Sequence, residues 1–256
     1  MSARLKDCGV VVVRPAAAAE RLAVLLAEEG ARAILFPTIE VLPAPRPARL
    51  AAVLSRLQTF DWAIFISPTA AREGLRSAQA CCEWPAGVRV AAVGTATAAV
   101  LRDLGVEGVI APHGPGDSEA LAGLAELQGI EGQNVVIFRG EGGREHLAQV
   151  LAQRGARVEY AECYRRTRPD VDPAPVIDQW RRGEVQALCA ASGEALKNLR
   201  ELLGPEGMAL AKTAPVFVPH PKVAVAAREA GFARTIVVTG GDEATVEGLC
   251  AFFAKV

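Results

Sequence analysis

Apolar stretches alternate with amphipathic stretches along the whole chain, at a short and regular spacing. Residues 10–13 are a continuous run of valine, as expected of a strand that is buried on both faces. Residues 19–29 then place Leu22 and Leu25 on one side of a helix. This alternation continues to the end of the chain and is typical of an α/β protein with parallel sheets.

The pattern predicts strands and helices along the whole length of the chain. Strands are predicted at 10–13, 34–36, 38–42, 62–66, 88–93, 109–110, 134–138, 160–164, 187–190, 216–218 and 236–238. Helices are predicted at 19–29, 48–57, 95–104, 118–127, 144–154, 176–182, 194–203, 222–230 and 244–254, with another beginning at Thr69.

The second half of the chain repeats the first. Arg14 and Arg139 each end a strand and lie 125 residues apart, and Ser67 and Ser192 are separated by the same offset. The segments that follow Arg14 and Arg139 match in the spacing of their aliphatic residues and of a helix-ending glycine. The sequence therefore predicts a duplication of one α/β half.

Two proline-rich stretches, at 37–47 and 169–175, surround extended segments that are candidate crossings between domains. The chain's two tyrosines, Tyr160 and Tyr164, lie just before the second of them, in a strand that turns basic. If both crossings are real, the first and last parts of the chain share one domain and the middle forms another. Periodicity alone does not distinguish this arrangement from two tandem domains.

Composition narrows the class of protein. At 256 residues, 51% hydrophobic and with mean hydropathy +0.22, the chain suffices for one large or two modest soluble domains. A net charge of −1 gives no overall attraction for nucleic acid or acidic membranes, so no such partner is expected. Without an 18-residue apolar run or a signal-peptide core at its start, the sequence predicts a cytoplasmic protein. Six scattered cysteines without a CxxC indicate buried reduced thiols, and no metal site.

The turns that follow the predicted strands are small, hydroxylated or basic, and each opens a helix. In open parallel sheets ligands bind at the carboxyl ends of strands, where helix N-termini offer free N–H groups to carboxylates or phosphates. Ordinary helix capping is the favoured explanation of any single turn, so the indication of anion binding lies in their number. The candidate anion-binding residues are Arg14, Ser67, Pro68, Thr69, Gly94, Thr95, Ala96, Thr97, Arg139, Gly140, Glu141, Arg144, Ser192, Gly193, His220, Pro221 and Lys222.

Familiar catalytic signatures are absent. No GxxxxGK, HExxH or GxSxG occurs, and the Gly140–Gly143 stretch lacks the spacing of a dinucleotide fingerprint. A nucleotide enzyme and a serine hydrolase are therefore not expected.

Several segments follow one another as they do in uroporphyrinogen-III synthases. They are Arg14-Pro15, residues 36–40, 61–70, 92–97, 139–144 and Tyr164-Arg165-Arg166. The chain resembles that family over roughly residues 10 to 250. It departs where Thr69 replaces a common Asn and where Ala191-Ser192 replaces Thr-Ser.

The resemblance implies two α/β domains joined by two extended strands, which would resolve the domain ambiguity. Residues 1–40 with 172–256 would form one domain and 44–165 the other, with linkers at 38–43 and 164–172. It also implies a monomeric enzyme that needs no cofactor. The implied substrate is hydroxymethylbilane, a linear tetrapyrrole with an acetate and a propionate on each pyrrole, which suits a set of anion-binding turns.

In such a reaction the terminal hydroxyl leaves, ring D attacks the resulting azafulvene cation through its substituted end, and a spiro intermediate recloses with ring D inverted. Tyr164 corresponds to the tyrosine proposed to help the hydroxyl leave, and Thr97 to a threonine on the cleft wall. A linker aromatic that packs against a domain is the structural alternative for Tyr164. A non-catalytic, two-lobed module that binds an anionic ligand is the alternative for the whole protein.

Overall fold

The computed structural model describes residues 3–113, 117–143 and 145–254, and within them strands and helices alternate as the sequence predicts. The strands are β1 Gly9–Val12, β2 Arg32–Leu35, β3 Glu40–Pro43, β4 Trp62–Phe65, β5 Arg89–Ala92, β6 Asn134–Gly140, β7 Arg157–Thr167, β8 Ala187–Cys189, β9 Val216–Val218 and β10 Thr235–Val237. The helices are α1 Ala16–Glu28, α2 Pro47–Leu54, α3 Pro68–Gln79, α4 Thr95–Asp103, α5 Ser118–Ala122, α6 His146–Gln153, α7 Ala174–Arg181, α8 Gly193–Ala211, α9 Pro221–Glu229 and α10 Gly241–Phe253, with 3₁₀ turns at Leu57–Thr59 and Ala125–Leu127.

The chain divides into two compact units. The first unit contains the residues up to Glu40 and those from Thr167 onward, and the second contains Val41–Arg166. The first unit's sheet has the order β10-β9-β8-β1-β2, and the second unit's sheet has the order β3-β7-β6-β4-β5. Because the strand pairs β1–β2, β1–β8, β8–β9, β9–β10, β4–β5, β4–β6 and β6–β7 are all parallel, the predicted α/β fold class is confirmed.

Each sheet is covered by apolar side chains on both faces, which explains why its central strands are uninterrupted apolar runs. In β1, Val10 and Val12 pack into one core and Val11 into the other. In β4, Trp62 and Ile64 face one core while Ala63 and Phe65 face the other. Each unit therefore has its own hydrophobic interior.

The duplication is visible in the order of the strands. Strands β1 and β2 correspond to β6 and β7, and β8 and β9 correspond to β4 and β5, so β2-β1-β8-β9 repeats β7-β6-β4-β5. Gly30 and Gly155, 125 residues apart, end equivalent helices with positive φ angles of 81° and 85°. Each sheet combines strands from both halves of the duplicated sequence.

Some predicted boundaries differ from the structure. The strand predicted at 109–110 is reduced to a parallel bridge between Ala91 and Ile110. Helix α8 continues beyond 203 because Gly204, with φ 62°, allows a kink after which Pro205 begins another helical segment. Thr38, in the predicted linker, is buried in the first unit, where its hydroxyl donates to the Val13 carbonyl oxygen (3.1 Å) or that of Ala195 (3.0 Å).

Candidate functional site

A cavity of about 310 Å³ lies in the second unit, at the carboxyl ends of β4 and β6 and beside β7. Residues that line it include Ser67, Arg139, Gly140, Tyr160 and Tyr164. Parallel strands end at the same edge of a sheet, so Ser67, just after β4, and the last residues of β6 meet there. Four of these five were predicted as candidates, and they come from three separate stretches of sequence.

Ser67 follows β4 and caps helix α3. Its Oγ accepts a hydrogen bond from the Ala70 backbone N–H at 3.0 Å, the contact that a residue with extended φ and ψ makes at an N-cap. The same Oγ lies 3.2 Å from the Tyr164 hydroxyl oxygen. The cap thus holds Ser67 in place as a hydrogen-bonding partner of the phenol.

A bulge in β7 directs Tyr164. Arg139 pairs with Glu162 and Gly140 pairs with Tyr164, so Cys163 is the extra residue on this strand. Without the extra residue, Tyr164 would lie on the same face as Tyr160, since side chains alternate along a strand. The bulge instead sends Tyr164 into the opposite core, where it is 3% exposed.

The ring of Tyr164 packs against the backbone of Gly140. A Cβ at position 140 would stand 2.8 Å from both Cε2 and Cζ of that ring, closer than such atoms approach. Gly140 was predicted as a substrate-binding residue, and the structure shows it in addition as the residue that makes room for the phenol. Cys163, which precedes Tyr164 in β7, is buried, and its thiol donates to the Arg139 carbonyl oxygen at 3.4 Å. Burial raises the pKa of this thiol to about 12.

Arg139 is 3% exposed, although it carries a permanent charge. Its Nε donates to the carbonyl oxygen of Gly140 at 3.2 Å, and Nη2 donates to that of Gly142. The guanidinium carbon lies 4.5 Å from the centre of the Tyr160 ring. Burial raises the pKa of Tyr160, while the positive charge of Arg139 opposes that rise.

The second unit's other candidate residues lie outside the lining of this cavity. Gly94–Thr97 begin α4 after β5, and Thr97 is 2% exposed. Pro68 and Thr69 form the first turn of α3 and are half-buried. Glu141 is exposed, and its backbone N–H donates to the Tyr164 carbonyl oxygen at 2.8 Å. Arg144 lies outside the described residues.

In the first unit, the candidates have structural partners. Ser192 Oγ accepts from the Ala195 N–H at 3.1 Å, repeating the cap made by Ser67. His220 Nδ1 likewise accepts from the Lys222 N–H at 3.1 Å, so its role in this structure is to cap α9, with Pro221 exposed at the first position. Gly193, which follows Ser192, packs closely on α9, since a Cβ there would lie 3.3 Å from that of Ala226.

Arg14 follows β1 and pairs with Asp242 in the first turn of α10. Both side chains are largely buried, with 15% and 16% exposed. The Nε of Arg14 is buried and has no hydrogen-bond partner among the described residues. The guanidinium that the sequence assigns to substrate is thus already paired with a carboxylate.

Three polar residues that line the cavity are not among the candidates predicted from the sequence: Ser118, Tyr160 and Arg166. Tyr160 was recognisable as one of the two tyrosines in the basic strand, but its contact with Arg139 depends on strand pairing. Helix α5 is capped by Asp117, whose side chain accepts from the Ala120 N–H at 2.9 Å. Ser118, the first residue of α5, lines the cavity.

The prediction that all cysteines are buried is wrong for two of them. Cys8, Cys163, Cys189 and Cys250 are buried free thiols, but Cys81 is exposed and Cys82 half-buried, because they lie in the turn after α3. Over the described ranges, no group of three or more His, Cys, Asp or Glu side chains could hold a metal ion. Within those ranges too, no helix is long and apolar enough to span a bilayer.

The chain is similar in sequence to one family of known proteins. The sequence model of a family described as "Uroporphyrinogen-III synthase HemD" matches residues 20–251. The uroporphyrinogen-III synthase of Escherichia coli K12 is 34% identical over 197 residues, covering 76% of this chain and 79% of that protein. The Proteus mirabilis uroporphyrinogen-III synthase is 33% identical over 193 residues, covering 74% and 96% respectively.

Solved structures share the fold. A mutant uroporphyrinogen III synthase from Thermus thermophilus aligns over 97% of this chain and 100% of its own, with a TM-score of 0.61 and 21% identity. The uroporphyrinogen-III synthetase of Helicobacter pylori aligns over 96% and 99%, with a TM-score of 0.58 and 14% identity.

Proposed function

The chain belongs to the uroporphyrinogen-III synthase family, and we propose that it cyclises hydroxymethylbilane to uroporphyrinogen III with Tyr164 as the proton donor to the departing hydroxyl. The family and the enzyme class expected from the sequence are thereby confirmed. The implied pathway is tetrapyrrole and heme biosynthesis. The residue roles below are our proposals.

The observation that supports Tyr164 as the donor is its hydrogen bond with Ser67 at the edge of the cavity. Because Ser67 Oγ already accepts the Ala70 N–H, its own proton is free to be donated to the Tyr164 oxygen at 3.2 Å. In that arrangement the phenolic proton points away from Ser67 and is available to a group in the cavity.

The proton transfer then has a defined course. Tyr164 Oη donates its proton to the hydroxyl as the carbon–oxygen bond breaks, so the oxygen leaves as water and an azafulvene cation remains. The Ser67 O–H donates to the phenolate that forms and stabilises its charge, as donors placed at a developing negative charge do. The proton that ring D loses when the macrocycle forms can restore the phenol.

The turns that precede the helices would bind the carboxylates of the substrate. The substrate's acetates and propionates would be held mainly by main-chain N–H groups at helix N-termini, assisted by the basic side chains near them. This proposal includes Arg14, Ser192, Gly193, His220, Pro221 and Lys222 in the first unit and Ser67, Pro68, Thr69, Gly94, Thr95, Ala96, Thr97, Arg139, Gly140 and Glu141 in the second. Where side chains such as Ser67, Ser192 and His220 already cap helices, the backbone donors contribute more than the hydroxyl or imidazole.

Holding the substrate's conformation would decide which isomer forms. Unaided closure gives the uninverted type I product, so the protein's contribution to specificity is to keep the linear tetrapyrrole folded with the substituted end of ring D facing the cation. Donating the proton and holding the substrate's conformation are then two separable functions of the site.

We also propose that the protein acts as a cytoplasmic monomer. Its six cysteines are free thiols, as is usual in a reducing compartment, and each unit encloses its own core. The monomer is tested by light scattering after gel filtration, which should give a mass near 26.9 kDa.

The function itself is tested by product analysis. The purified full chain is incubated with hydroxymethylbilane, the products are oxidised to porphyrins, and the type I and type III isomers are separated by chromatography. We expect the type III isomer to form a much larger share of the product than in a reaction without protein. Type I alone, with the substrate still bound by the protein, would favour the non-catalytic binding module.

A further inference from the structure

Arg139 is a buried guanidinium without a carboxylate. Among the described residues no Asp or Glu oxygen lies within 4.0 Å of it, whereas Arg14, its counterpart in the first unit, is paired with Asp242. Burying a charge is unfavourable unless the charge is paired or fully hydrogen-bonded. Arg139 is therefore suited to bind an anionic group of a ligand.

Neutral groups hold the guanidinium at the cavity. The carbonyl oxygens of Gly140 and Gly142 accept from Nε and Nη2, and a Cβ at Gly143 would stand 2.9 Å from Nη2, so the loop wraps closely around it. On the other side lies the Tyr160 ring, 4.5 Å from Cζ to ring centre. An aromatic face attracts a cation without neutralising it, which leaves the charge available to a ligand.

We propose that Tyr160 is a positioning residue, whose ring holds the Arg139 guanidinium as the receptor for one carboxylate of the substrate. This inference rests on the proposed function and assigns Tyr160 a part in it. A planar guanidinium can bind a carboxylate through two parallel hydrogen bonds, but only when its plane is fixed. Tyr160 would fix that plane, so its loss should weaken binding rather than slow the chemical step.

The test uses the full-length chain with hydroxymethylbilane as the probe. Variants Tyr160→Phe, Tyr160→Leu, Arg139→Met and the double variant Arg139→Met/Tyr160→Leu are compared with the parent for kcat and KM. Phe60→Leu is the matched control, because Phe60 also lies below an arginine, Arg56, at 5.7 Å but does not line the cavity. Circular dichroism establishes that each variant is folded, and Tyr160→Met replaces Tyr160→Leu if the latter is not.

We expect Tyr160→Leu to raise KM about 2- to 30-fold, the range of a cation–π contact, with kcat within about twofold of the parent. Tyr160→Phe keeps the ring and should restore KM to within about threefold of the parent. In the Arg139→Met background, Tyr160→Leu should have no further effect on KM, since it acts through Arg139.

The inference alone would be overturned if KM were unchanged in Tyr160→Leu, or if Tyr160→Leu raised KM equally in the Arg139→Met background. A rise in Tyr160→Phe as large as in Tyr160→Leu would also overturn it, because the hydroxyl and not the ring would then matter. A parent chain that forms no type III isomer would overturn the proposed function and this inference together.

Discussion

The backbone of Gly140 lies directly against the ring of Tyr164, with only 2.8 Å between the position that a Cβ would occupy and two ring atoms. The glycine at the end of β6 therefore determines where the phenol of β7 lies. This contact links the glycine-rich segment, which the sequence suggests as an anion-binding turn, to the proposed proton donor.

The first prediction concerns Gly140→Ala. The added methyl must displace the Tyr164 ring, and overpacking of this kind costs about 1–3 kcal/mol of stability. We expect a loss in that range in urea unfolding and a fall in kcat of about tenfold, part of the contribution of a positioned acid. Gly87→Ala is the control, because nothing lies within 4 Å of a Cβ there. Parent-like turnover in Gly140→Ala would show that the ring position is unimportant.

The second prediction compares Ser67→Ala with Ser192→Ala. Both serines make the same helix cap 125 residues apart, but only Ser67 also contacts a tyrosine. Each substitution should lower stability by about 1 kcal/mol, the cost of a lost cap. Steady-state kinetics should show a fall in kcat of about 3- to 10-fold for Ser67→Ala, which corresponds to the net value of an ordinary hydrogen bond, about 0.7–1.4 kcal/mol. Ser192→Ala should alter mainly KM, and equal falls in kcat would contradict the proposed role of Ser67.

The third prediction concerns alkaline pH. Burial raises the pKa of Cys163 to about 12, whereas an unfolded thiol ionises near a pKa of about 8.5. Between these values the folded state keeps a proton that the unfolded state loses, so stability falls as pH rises, by about 1.4 kcal/mol per pH unit for such a thiol.

Urea unfolding between about pH 8.5 and 10 measures this dependence. Cys163→Ala should reduce the slope by about that one thiol's share, and Cys81→Ala, which removes an exposed thiol, is the control. An unchanged slope in Cys163→Ala would mean that this thiol ionises in the folded state as easily as in the unfolded chain.

The fourth prediction concerns the domain arrangement. A fragment of residues 41–166 contains the whole β3-β7-β6-β4-β5 sheet, apart from the ends of β3 and β7, and both of its cores. It should unfold cooperatively by circular dichroism. The fragment 1–125 lacks β6 and β7 and should not, since β4 would lose its partner β6. Cooperative melting of 1–125 but not of 41–166 would contradict this arrangement.

Much of the fold could be predicted from the sequence, because strands buried on both faces leave continuous apolar runs, as at β1 and β4. The duplication was also predictable, because Arg14 and Arg139 are separated by the same number of residues as Ser67 and Ser192. The end of α8 was missed because Pro205 was not considered as the first residue of a new helical segment. The strand at 109–110 was overestimated because apolar residues alone do not guarantee a partner strand.

The site was predictable only in part. Position at the carboxyl end of a predicted strand identified Ser67 and Arg139, since ligands of parallel sheets bind at that edge. The contact between Tyr160 and Arg139 could not be foreseen, because it depends on the register of β6 against β7. The bulge at Cys163, which separates the faces of Tyr160 and Tyr164, leaves no mark in the pattern of apolar residues.

The most direct test of the account is the turnover of Tyr164→Phe together with the isomer that it forms. Phenylalanine keeps the ring packed against Gly140 but removes the proton donor. A positioned acid typically contributes about 100- to 10,000-fold, and a substrate carboxylic acid can replace it in part, so we expect kcat to fall roughly 10- to 100-fold. The product should remain type III, because the fold of the substrate decides which end of ring D attacks. A variant that turns over within about twofold of the parent would show that Tyr164 is structural and would contradict the account.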